Sequence, residues 1–110
     1  MTEEELQNIW TRWMHRNDLQ EDLDTVYLMA STKTVQRLLL PVLIEDLMTE
    51  APRIMVHAGL IYLHQLARDD AGQRQEMTHF EDACQEYSLW KSRDMRPTVD
   101  PFSYGDADGT

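Results

Sequence analysis

Glu76 and His79 stand three residues apart, the spacing that puts a carboxylate and an imidazole on one face of a helix. Such a pair can ligate a metal ion. The spacing is that of di-iron four-helix bundles, which need two Glu-x-x-His pairs and two further glutamates. This sequence has one, so a complete site would require symmetry between copies. His57 and His64, seven apart, share a helical face and could add ligands. A histidine on a mostly apolar helix more often hydrogen-bonds than binds metal, and the expectation is no metal and no cofactor. Cys84, the only thiol, has Glu81, Asp82 and Glu86 around it, which raises a thiol pKa and disfavours a nucleophilic role. No glycine-rich phosphate loop, GxSxG elbow, CxxC or HExxH occurs. The residues therefore predict a protein that is not an enzyme, with no catalytic residue to name.

The chain is 110 residues long with a formal net charge of -10. That length suits one domain, and that charge repels phosphate backbones and membrane surfaces while favouring basic partners. A single cysteine excludes an intramolecular disulfide framework and fits a reducing compartment. The start, MTEEELQNIW, is acidic where a signal peptide needs positive charge, so the expected location is cytoplasmic. All-helical nucleotide pyrophosphatases use paired ExxE and ExxD clusters for magnesium, and here Glu21 and Asp24 give one ExxD without an ExxE.

The periodicity predicts an all-α fold, a compact bundle of about five helices. Thr2 and Glu5 form a capping-box pattern before Leu6, Ile9, Trp10, Trp13 and Met14, which predicts helix from about Glu3 to Arg16. A second helix is expected from Leu19 to about Met29, and a third from Ser31 or Thr32 with a kink or break at Pro41. Gln36 and Arg37 point opposite to Glu45 and Asp46 on a straight wheel, which supports that break. Pro52 is suited to the first position of a fourth helix running to about Arg68. Its run IMVHAGLIYL and the preceding LLLPVLI are too short to span a bilayer and read as the buried centre. Gly59 within it costs helix propensity, which fits either a close helix approach or a tolerated glycine. Asp69-Asp70-Ala71-Gly72 reads as a turn, and Met77, Phe80, Ala83, Cys84, Tyr87 and Trp90 then form an amphipathic stripe ending near Arg93. Residues 1–96 thus make the helical domain. Residues 97–110, PTVDPFSYGDADGT, read as a flexible acidic tail.

Residues Ser31 to Leu39, STKTVQRLL, resemble the SxxTVxRxL signature at the turn and recognition helix of helix-turn-helix repressors and activators. The resemblance implies a DNA-binding regulator in which Ser31 caps the helix and Val35 and Leu39 pack inward. Thr32, Lys33, Gln36 and Arg37 would then meet bases or phosphates. The chain departs from that pattern at Met29, where the family has glycine, and Glu21, Asp22 and Asp24 on the preceding helix would face phosphates unfavourably.

The balance favours a non-enzymatic, acidic protein-binding or assembly module that self-associates, such as a small accessory, chaperone-like, inhibitor or phage-encoded protein. Its expected partner is a basic protein, met by Glu81, Asp82 and Glu86 with Phe102 and Tyr104 of the tail as anchors. Trp10 and Trp13 of the first helix, or the LLLPVLI segment, are expected to join copies of the chain into a homo-oligomer, with neither nucleic acid nor membrane as a partner.

Overall fold

The computed structural model describes residues 1–15, 18–38 and 42–94, leaving aside the side chains of Arg93 and Asp94. Five α-helices occur among them: α1 (Glu3–Met14), α2 (Leu23–Leu38), α3 (Ile44–Glu50), α4 (Pro52–Leu66) and α5 (Asp70–Asp94). A single 3₁₀ turn, Gln20–Asp22, precedes α2, and there is no strand among the described residues.

α1 starts where its capping box places it. Thr2 Oγ1 accepts from the Glu5 amide at 3.1 Å and Glu5 Oε1 accepts from the Thr2 amide at 2.8 Å. These bonds hold the Glu5 carboxyl below its ordinary pKa. The helix ends at His15, whose backbone is left-handed (φ 53°), so it stops short of the expected Arg16.

The expected second and third helices are one. α2 runs unbroken through Ser31, and no turn separates Met29 from Thr32. Ser31 Oγ donates to the Tyr27 carbonyl (2.8 Å) and Thr32 Oγ1 to the Leu28 carbonyl (3.0 Å), each one turn back. Hydroxyls satisfied this way sit in mid-helix and cap nothing. Leu23, Val26, Ala30, Thr34 and Leu38 form a single inward stripe across the supposed boundary. The bundle still has five helices because the expected third helix is divided: α2 ends at Leu38, and α3 begins at Ile44 after an extended Leu43. Pro41 itself lies outside the described residues, as does the tail from 97 to 110.

α4 is the centre, packed against α1, α2, α3 and α5. Eight of its fifteen residues are buried, from Ile54 to Leu63, as the apolar run predicts. Gly59 explains the fit with α1: a Cβ built there would overlap the Trp10 indole ring. Trp10 lies fully buried against it and donates its Nε1–H to the Val56 carbonyl at 3.0 Å. A buried tryptophan removes on the order of 150–250 Å² from water, and its indole donor is satisfied inside the chain.

A short link joins α4 to α5, and it lies earlier than the expected turn. The Asp69 amide donates to the His64 carbonyl and the Arg68 amide to that of Gln65, with Arg68 left-handed at φ 59°. This is a Schellman closure, with arginine in the position usually taken by glycine. Asp69 Oδ1 then accepts from the Gly72 amide (3.0 Å), so Asp69 caps α5 and Gly72 belongs to its first turn. That bond holds the Asp69 carboxyl below its ordinary pKa. The two helices form an antiparallel hairpin, the most extensively packed pair in the fold.

Candidate functional site

Two constellations sit on the seam of this hairpin. Near its middle, His57 Nδ1 of α4 lies 2.5 Å from Glu76 Oε1 of α5, with side chains only 13% and 11% exposed. The His79 ring lies 5.1 Å from that of His57, centroid to centroid and tilted by 33°. Trp13 presents its edge to His57 from α1 at 6.2 Å. The Glu-x-x-His pair and His57 thus meet in space. His64 does not join them: it lies two turns along α4, its Nδ1 3.2 Å from Asp69 Oδ2 without hydrogen-bond alignment. Among the described residues no group of three or more His, Cys, Asp or Glu is arranged to hold a metal ion.

The second constellation is at the open end of the hairpin. A groove of about 540 Å³ runs between the α3–α4 junction and α5, with Ile54, Ala83 and Tyr87 inside and Arg53, Glu86 and Trp90 at its edge. Tyr87 Oη donates to Glu50 Oε1 at 2.9 Å, and Lys91 Nζ reaches both Glu50 oxygens at 3.2 and 3.3 Å. These bonds, that from Tyr87 first, hold the Glu50 carboxyl below its ordinary pKa. Burial and the nearby Glu50 carboxylate push the Tyr87 phenol up to about 12. Lys91 also lies over the Trp90 ring at 5.3 Å. Leu89 and Trp90 are exposed, so an apolar surface continues out of the groove along α5.

The acidic residues expected to meet a partner are not equivalent. Glu81 is already bound by Arg37 of α2 at 2.7 Å. Glu86 has only a distant ion pair with Arg53 (3.8 Å), and Asp82 is exposed beside it, both bordering a shallow depression with Arg53 and Leu89. Phe102 and Tyr104 lie outside the described residues. The tryptophans divide as well. Trp10 is enclosed by the chain's own core and has no surface for a second copy, which corrects the expectation that it joins subunits, whereas Trp13 is 55% exposed.

The helix-turn-helix expectation fails on its turn, since α2 is continuous where a turn is required. Val35, expected inside, is 42% exposed. Leu39 lies outside the described residues. Lys33 stands 5.6 Å over the Phe80 ring and Arg37 holds Glu81, so both basic side chains lean on α5. Thr32 and Gln36 line a shallow depression with Leu28 and Tyr62.

Cys84 is fully buried, and desolvation pushes its thiol up to about 11. No helix among the described residues is long and apolar enough to cross a membrane. Sequence reasoning missed the Glu50–Tyr87–Lys91 cluster and the part played by Trp13. The antiparallel register about the link near residue 68 pairs positions whose numbers sum to roughly 136, which brings 57 opposite 76–79 and 50 opposite 87. No protein-family model matches the chain, and comparison with curated proteins and with solved structures finds no match.

Proposed function

We propose that this domain is a non-enzymatic, cytoplasmic binding module that docks a basic protein segment on the outer face of α5. The supporting observation is the continuity of an apolar groove at Tyr87 and Trp90 with exposed Leu89 and the weakly compensated carboxylates of Asp82 and Glu86. Positions 82, 86, 89 and 90 share one helical face, so a partner segment meets charge first and an apolar anchor next. A lysine- or arginine-bearing amphipathic segment with one large apolar side chain matches that order. The acidic tail carrying Phe102 and Tyr104 belongs to the same proposal as an auxiliary arm. Self-association belongs to it through Trp13, the aromatic that α1 leaves exposed.

A labelled basic amphipathic peptide with a single phenylalanine anchor tests the reading by stopped-flow and equilibrium binding. Asp82→Lys with Glu86→Lys should lower the association rate at least tenfold, and Trp90→Ala should chiefly raise the dissociation rate. Lys33→Ala with Arg37→Ala should leave both nearly unchanged. Binding abolished by the Lys33 and Arg37 pair and indifferent to the α5 changes would overturn the proposal. Light scattering of the wild type beside Trp13→Ala tests self-association, and identical monomeric behaviour of the two would remove that part.

A further inference from the structure

The docking face leaves the His57 cluster unused, and its chemistry is of another kind. A carboxylate that fixes one ring nitrogen of a histidine sets the tautomer and presents the other nitrogen as a ligand, the usual support behind a metal-binding imidazole. Glu76 does this to His57 from a largely buried position. Among the described residues the buried side-chain nitrogens lacking a hydrogen-bond partner reduce to His64 Nδ1. Among the described residues no hydrogen bond engages Nε2 of His57 or the ring of His79, and neither is one of those buried, unpartnered nitrogens. Two imidazoles sharing one tetrahedral ion through bonds of about 2.0–2.1 Å have centroids roughly 5 Å apart. The observed separation is 5.1 Å.

The geometry points to a divalent transition-metal site on α4 and α5, in which His57 and His79 are the ligands and Glu76 is the positioning carboxylate. Imidazole donors select borderline ions such as Zn²⁺, Ni²⁺ and Cu²⁺ over Mg²⁺ and Ca²⁺. With two protein ligands, water completes the coordination and binding is reversible. Trp13, edge-on to His57, is a built-in reporter, because a paramagnetic ion at His57 quenches its fluorescence. This inference is independent of the α5 docking face.

The full chain is titrated with Ni²⁺ by tryptophan fluorescence and with Zn²⁺ by calorimetry at neutral pH, with circular dichroism as the check on folding. One ion per chain should bind, with a quenching component that disappears in Trp13→Phe. His79→Ala should weaken binding at least tenfold, and His57→Ala likewise where it stays folded. Glu76→Gln should weaken it about tenfold while keeping the stoichiometry, and His64→Ala should have no effect. Equal titration of the wild type and folded His79→Ala, or no saturable binding up to millimolar metal, would overturn the assignment.

Discussion

His57–Glu76 and Glu50–Tyr87–Lys91 both tie a carboxylate across to or from α5, about 16 Å apart along that helix at 1.5 Å per residue. At the first, α1 covers the seam with Trp13, and both partners are almost out of water. At the second, the seam opens into a groove and the Glu50 side chain remains 31% exposed. Similar chemistry therefore has different weight at the two places. A pair kept from water leaves an uncompensated polar group when one member is removed, whereas an exposed pair leaves a group that water can solvate.

The sharpest way to break this contrast is to delete each carboxylate. Glu76→Ala should destabilise the fold by about 1–3 kcal/mol, the cost of leaving a largely buried ring nitrogen without its hydrogen-bond partner. Glu50→Ala should shift a thermal melt only slightly, and by less than Glu76→Ala. Equal losses in denaturant titrations would show that the two ends are not differently sealed.

Cys84, between the two ends, measures how far the seal extends. With its thiol pushed up to about 11, roughly one molecule in a thousand carries thiolate at pH 8, against about a quarter for an ordinary thiol near 8.5. Iodoacetamide should therefore label the native protein at least a hundredfold more slowly than the unfolded chain. Rapid native labelling would place the open end further up α5.

Gly59→Ala tests the sealed side through α1. The added methyl meets Trp10, and overpacking costs about 1–3 kcal/mol, against a gain of about 1 kcal/mol in helix propensity. Because the overlap is with a fully buried ring, the net loss should be about 2 kcal/mol, and it should shrink or vanish in a Trp10→Phe background, measured as a double-mutant cycle.

The smallest effect is an acid limb at the open end. The Glu50 carboxyl lies below its ordinary pKa when folded, so its contribution is complete above about 4.5 and is lost as pH falls through the depressed value. Melts from pH 7 to 3 should lose a little stability in that window, and less in Tyr87→Phe. A Tyr87→Phe curve parallel to the wild type throughout would remove the hydrogen bond as its source.

Much of this fold was legible because local rules agreed with the packing. The Thr2–Glu5 box set the start of α1, Pro52 stands in the first turn of α4, and of the two readings of Gly59 the close approach holds. The division of α2 was misread because serine and threonine in STKT suit a cap as well as a helix interior. The inward stripe from Leu23 to Leu38 decided between them. The same ambiguity produced the helix-turn-helix resemblance. At the candidate sites, Glu76–His79 was readable from spacing, but its meeting with His57 depends on the hairpin register. The different fates of Trp10 and Trp13 depend on which side of α1 faces Gly59, and periodicity on a single helix cannot fix that.

The closure at Arg68 has a consequence for the order of assembly. A three-residue link, Ala67 to Asp69, brings together the two helices that share most contact, so their docking needs little loop closure and has low contact order. Low contact order predicts that the hairpin nucleates folding and that α1 joins late, when Trp10 settles on Gly59. In a chevron experiment, Leu60→Ala or Phe80→Ala should slow the folding arm. Leu6→Ala should leave folding nearly unchanged and speed unfolding. Arg68→Gly, which relieves the left-handed residue at the link, should act on the folding arm as well.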